Sequence, residues 1–128
     1  MSNKAARNND LRDRLSRSQE INISVIGRKS GRKISNPVWF VLEECKLEED
    51  KLYLLPVQGS ATQWYRNVLK NPSIRIKAGG TEAELQAVPI KDVTQVKSVV
   101  EKFRDKYGAS NVKKYYSKFD VAVFGQMG

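Results

Sequence analysis

Six short apolar, β-branched segments separated by Gly-, Pro- and Asn-containing turns constrain this chain more than any other feature of its 128 residues. Ile21, Ile23 and Val25 alternate with polar residues, the period of a half-buried strand. Residues 28–33 form a turn between Gly27 and Gly31, and Pro37 to Leu42 reads as a second strand. Glu48, Glu49 and Asp50 make a solvated acidic hairpin tip, from which Leu52 to Val57 returns. Gly59 opens a helix whose Ser60 and Gln63 have capping-box spacing, and Asn71–Pro72 ends it. Ile74 to Ala78 and Glu82 to Val88 flank the hairpin turn Gly79–Gly80. Asp92 with Gln95 starts a second helix with the stripe Val93, Val96, Val100, Phe103 and Tyr107, stopped by Gly108. A short helix over 110–118 and a strand from Val121 to Phe124 complete the order. The class is α+β, mainly β. Six strands in so small a chain predict a closed or nearly closed barrel, because closure removes unpaired edges.

Residues 1–20 carry few apolar groups, Leu11 and Leu15 among them, and read as a flexible basic arm ahead of a domain over 21–128. The net charge is +9, and residues 1–34 hold nine Lys/Arg against three Asp/Glu, or +6 of it. An anionic partner is drawn to that end. Nucleic acid is disfavoured, since the basic residues are not interleaved with aromatics along a strand. The chain has no histidine, which removes His-based triads and most catalytic zinc sites. Cys45, the one cysteine, cannot form an internal disulfide, and with no apolar leader behind Met1 the expected location is the cytoplasm. No apolar run is long enough for stable membrane insertion. The acidic residues 43–50 show no metal-ligand spacing, and Cys45 reads as a small strand or hairpin residue.

Two clusters carry chemistry. Gly27-Arg28-Lys29-Ser30-Gly31-Arg32-Lys33 places four cations and a hydroxyl on a tight turn, able to cradle a phosphate or carboxylate, or simply to sit in water as a basic hairpin tip. Gly59-Ser60, followed by Trp64, Asn67 and Asn71-Pro72, offers free N–H groups at a helix start to an anion; the alternative is ordinary capping, with Trp64 and Leu69 as core.

The run Gly27 to Gly31 with Pro37, followed by Trp64-Tyr65-Arg66-Asn67-Val68-Leu69-Lys70-Asn71-Pro72, resembles the signature blocks of the deazaflavin-dependent nitroreductase family, and the similarity extends over about residues 21–125. It implies a six-stranded split β-barrel like that of pyridoxamine-phosphate oxidase, pairing into homodimers. It further implies hydride transfer from the reduced 8-hydroxy-5-deazaflavin coenzyme (F-420) to a small acceptor: a quinone, a nitro compound or an activated double bond. FMN, or a non-catalytic carrier of an anionic ligand, is the alternative. By position, Arg28, Lys29, Ser30, Gly31 and Lys33 meet the anionic tail, Gly59, Ser60, Trp64 and Asn67 lie near phosphate or ring, and Pro37 and Trp39 lie alongside the ring. Tyr115 and Tyr116 fall in the tyrosine-rich segment on the substrate side, as groups that touch the acceptor and supply its proton. The family often has arginine where this chain has Ile34, so Arg32 or Lys33 supplies the charge.

Overall fold

The computed structural model describes residues 11–44 and 49–127. β1 (Ile21–Ile26) buries Ile21, Ile23 and Val25 and exposes the residues between, as its alternation requires. It pairs antiparallel with β2 (Lys33–Val38) on one side and with β5 (Ser73–Ala78) on the other. β5 turns at Gly79–Gly80 into β6 (Thr81–Ile90), with Ala78 opposite Thr81. Gly79 has φ +61, the left-handed geometry that a two-residue hairpin favours. The first half of β6 pairs with β5 and its second half with β7 (Ala122–Met127). Beyond β7 lie β4 (Asp50–Leu54) and β3 (Phe40–Glu43). The order is thus β2-β1-β5-β6-β7-β4-β3.

This is a mostly antiparallel α+β sheet of seven strands rather than six, and the difference lies at Trp39. The segment expected as one strand over 37–42 is two: β2 ends at Val38, β3 begins at Phe40, and they occupy opposite ends of the sheet. A single residue joins the two outermost strands. The sheet must therefore curl until its edges meet, which is how a half-barrel escapes long open edges.

Two cores stabilise it. Inside the curl, Ile23, Phe40, Leu52, Leu54 and Ile76 pack with Trp64, Tyr65 and Val68 of α2 (Gln63–Lys70). Outside it, α3 (Val93–Tyr107) and α4 (Ala109–Tyr115) cover Tyr53, Leu55 and Ile90 with Val96, Val99, Val100, Phe103 and Val112. Asp92 caps α3 by accepting from Gln95 N–H at 3.1 Å, and Gly108 at φ +92 ends it, both as expected. Val93 of the expected stripe faces water.

Four further expectations need correction. The arm is held from Leu11 onward: residues 11–16 are helical (α1), and Leu11 and Leu15 are 2% and 1% exposed inside the first core. Two leucines four apart lie on one helix face, enough to seat a single turn in the mouth of the barrel. Asp50, expected at a solvated tip, is buried and receives Arg12 Nε and Nη2 at 2.5 and 2.7 Å. A carboxylate taken from water needs such a paired donor. The helix expected from Ser60 begins at Gln63, after a 3-10 turn over Gly59–Ala61. Leu69, read as core, is 48% exposed. At about 100° per residue, the buried arc of Asn67, Trp64, Val68 and Tyr65 has passed before Leu69 is reached. Cys45 and Glu48 lie outside the described residues.

Candidate functional site

The single-residue crossing at Trp39 puts an indole where the two sheet edges meet, and its neighbours make it the centre of an aromatic cleft. Tyr107 stacks on one face at 4.2 Å between centroids and 10° between planes; Tyr115 stacks on the other at 4.6 Å and 12°. Tyr116 meets the indole edge-on at 6.0 Å. These contacts follow from α4, whose last residue is Tyr115 and whose C-cap is Tyr116, docked over the end of α3.

The two faces of Trp39 are held differently. The Tyr107 hydroxyl accepts from Phe40 N–H at 3.0 Å and lies 2.7 Å from the Gln19 carbonyl and 2.9 Å from that of Phe40. Burial pushes its pKa up to about 12, so this ring is a fixed, neutral wall. Tyr115 is 43% exposed, and among the described residues its hydroxyl makes no hydrogen bond. Tyr116 is buried, and burial raises its pKa, leaving it protonated at neutral pH. Of the two tyrosines expected at an acceptor, Tyr115 faces solvent and Tyr116 forms part of the packed wall.

The cleft is lined by Asn36, Pro37, Trp39, Leu55, Val57, Thr62, Gln63, Trp64, Tyr115 and Tyr116, and encloses about 240 Å³. Pro37, Trp39, Trp64, Tyr115 and Tyr116, chosen from far-apart stretches of sequence, are thereby brought together. That volume is below the roughly 300–1,000 Å³ of pockets that bury a drug-sized ligand. The cleft has room for a single flat ring system, and anything attached to such a ring would lie outside it.

The neighbouring surface is the turn between β1 and β2. Gly31, at φ +69, donates its N–H to the Gly27 carbonyl at 2.9 Å, closing the turn. Arg28 swings onto α2, its Nη1 and backbone N–H donating to Asn67 Oδ1 at 2.9 and 3.1 Å and its Nη2 to Gln63 Oε1 at 2.9 Å. Gln63 is also a cleft residue, so the turn and the cleft are continuous. Asn67, buried within α2, anchors Arg28. Ser30 Oγ accepts from Arg32 N–H at 3.2 Å, within the turn itself. Lys29, Arg32 and Lys33 stand in water, and so does Ile34, 40% exposed.

Gly59 and Ser60 do not line the cleft. Ser60 N–H and Oγ both donate to Asp120, at 2.9 and 2.6 Å, and Lys118 Nζ lies 3.7 Å from the same carboxylate. Burial raises the Asp120 pKa, but the Ser60 hydroxyl, the Ser60 N–H and Lys118 outweigh it and hold the carboxyl below its usual range. Ser117 N–H, donating to the Val57 carbonyl at 2.8 Å, brings the 117–120 segment alongside. A Cβ on Gly59, at φ +56, would sit 2.0 Å from Asp120 Oδ1, so only glycine admits this approach. Sequence reasoning missed Asp120 because its partner lies sixty positions upstream, with no local pattern linking them. Gln63 was seen only as a capping residue. Among the described residues no group of His, Cys, Asp and Glu could hold a metal ion, and no helix is long and apolar enough to cross a membrane.

Comparison with solved structures shows the split-barrel fold expected from the sequence. An F-420-H2-dependent reductase is 18% identical with a TM-score of 0.61, over 84% of this chain and 94% of that one. A pyridoxamine 5'-phosphate oxidase candidate from Listeria innocua is 13% identical with a TM-score of 0.62, over 93% and 90%. HutZ, a heme storage protein from Vibrio cholerae, is 12% identical with a TM-score of 0.62, over 94% and 89%. At such identities the likeness is one of fold. No curated protein matches the sequence. The family described as "Uncharacterized protein conserved in bacteria (DUF2255)" matches residues 11–121, from the helix that fills the barrel mouth to the start of the closing strand, and the chain belongs to that family.

Proposed function

We propose that the chain binds a flavin-type ring with an anionic tail, the reduced deazaflavin coenzyme in preference to FMN, and transfers its reducing equivalents to a small quinone, nitro compound or activated double bond. The observation that carries this reading is the continuity of an aromatic cleft with a cationic turn through Gln63. A planar, electron-poor ring gains from stacking on the exposed Tyr115, at the end of the Tyr107–Trp39–Tyr115 stack. Charges on its tail gain from Lys29, Arg32 and Lys33. The donor set thus fits the ring and the tail, but at Gly59–Ser60 it does not fit a phosphate, because Asp120 already holds both donors of Ser60. An F-420-H2-dependent reductase among the proteins of like fold supports the choice of cofactor.

When bound, the coenzyme supplies the hydride. The residues supply position and a proton. Tyr107 and Tyr115 already cover the two faces of Trp39, so a ring meets the stack at the exposed Tyr115. Tyr115, with its hydroxyl directed to no partner among the described residues, is the group that hydrogen-bonds the acceptor and delivers its proton. Tyr116 walls the site against water.

Matched fluorescence titrations test the cofactor: the deazaflavin coenzyme is expected to bind more tightly than FMN, and the opposite order overturns the choice. Turnover of a quinone with the reduced coenzyme tests the enzyme. Binding without turnover favours the second reading, a non-catalytic carrier, which the heme storage protein of like fold supports. We further propose a homodimer, since Ile26, Ile34 and Val88 leave apolar surface for a second copy; light scattering at about the 14.5 kDa of one chain overturns it.

A further inference from the structure

Asp120 sits where the sequence led one to expect an incoming anion. Two donors of one residue, the Ser60 N–H and hydroxyl, converge on its carboxylate. Gly59 has the conformation and the missing Cβ that this approach needs. The charged group facing the carboxylate is Lys118, 3.7 Å away, and the Tyr65 hydroxyl, raised in pKa by burial first and by the Asp120 charge second, is the titratable group within its field. The turn therefore contains an internal anion with its own hydrogen bonds and its own counter-ion. A phosphate arriving there must either displace that carboxylate, breaking two charge-assisted hydrogen bonds, or lie beside a like charge. Neither obstacle exists at the turn over 28–33, where the exposed side chains are all cationic or neutral.

We propose that Asp120 is a specificity residue: it fills the Gly59–Ser60 turn with the chain's own carboxylate, so that a ligand with its ring in the Trp39 cleft brings negative charge only to the 28–33 turn. The inference rests on the flavin-type reading of the cleft and refines it. The ligand class it selects is a flavin or deazaflavin whose anionic groups extend toward Arg28 and Lys29 and away from Ser60.

Riboflavin and FMN, which share a ring and differ by one phosphate, are the probes. In Asp120→Ala the affinity for FMN relative to riboflavin is expected to rise about tenfold over the unmodified chain, because the freed Ser60 N–H and hydroxyl donate to the phosphate. An unchanged ratio in a variant that still melts cooperatively overturns the proposal. Should the alanine variant fail to fold, Asp120→Asn keeps an acceptor for the Ser60 N–H while removing the charge, and the same rise, or its absence, decides. If no form binds either flavin, the flavin reading falls on its own. The proposal is then judged with inorganic phosphate, followed by NMR at the Ser60 amide. A saturable shift in the Asp120 variants alone supports it. A shift in the unmodified chain, or none in any variant, overturns it.

Discussion

Two glycine turns, Gly27–Gly31 and Gly59–Ser60, look alike as potential anion cradles and are completed in opposite ways. The first is fastened to α2 without a carboxylate: Arg28 reaches the neutral amide oxygens of Asn67 and Gln63, and the Lys70 ammonium donates to the Arg28 carbonyl at 3.3 Å. Those oxygens satisfy the guanidinium without cancelling its charge, so the turn stays cationic. The second is fastened by a carboxylate, which satisfies Ser60 and neutralises the place at once. Whether a donor-rich turn can receive an anion depends less on its own residues than on the charge of the oxygen that completes it.

The largest expected contrast is between two alanine substitutions. Gly59→Ala forces a left-handed residue and drives a methyl into Asp120, for a loss of roughly 2–4 kcal/mol. Gly31→Ala meets nothing within 4 Å and pays only the backbone strain, about 1–2 kcal/mol. Equal losses in thermal melting would erase the distinction.

Next, Arg28→Ala takes the guanidinium donor from the buried Asn67 oxygen, leaving it only the backbone N–H of residue 28, and should cost about 1–2 kcal/mol, whereas Lys29→Ala, in water, should stay within about 0.5 kcal/mol. Denaturant midpoints compare the two. If Arg28 proved as dispensable as Lys29, the turn would not be anchored as described.

A smaller effect comes from salt. Raising ionic strength from about 0.1 M to about 1 M shortens the screening length from about 10 Å to about 3 Å, so tail-bearing ligands should bind several-fold more weakly while the Ser60 amide resonance stays in place. Salt-independent affinity would remove the 28–33 turn from the ligand's path.

The smallest effect is in acid. The folded-state pKa of Asp120 is depressed, so its contribution to stability is complete above the ordinary carboxylate value near 3.9 and is lost as pH falls through the lower, folded value. The Ser60 amide should shift in that window and the Gly31 amide, with no carboxylate against it, should not. A Ser60 resonance indifferent to pH would mean that the carboxylate is not its partner.

Much of this was legible in the chain because the signals are local. The alternation of Ile21, Ile23 and Val25, the Asp92–Gln95 cap, the stop at Gly108 and the Gly79–Gly80 hairpin each arise within a few residues, and each appears as read. Of the cleft aromatics, Trp64 was legible through its place in a family-like block and Trp39, Tyr115 and Tyr116 through the wider resemblance, although nothing in their spacing says that Tyr107 and Tyr115 would enclose Trp39. The split at Trp39 was not legible. Pro37 to Leu42 has uniform strand character, and only the closing of the sheet decides that its two halves belong to opposite edges.

The sequence by itself determined where most strands and the longest helix form, where glycine turns fall and how many cations the 28–33 turn carries, since these follow from neighbours along the backbone. Tertiary structure alone decided that Leu11 and Leu15 belong to the core, that Leu69 does not, that Asp50 is paired with Arg12, and that Asp120 closes the Gly59 turn. Burial and charge pairing act through space between residues that the chain separates by dozens of positions, and no local pattern records which carboxylate will reach which donor.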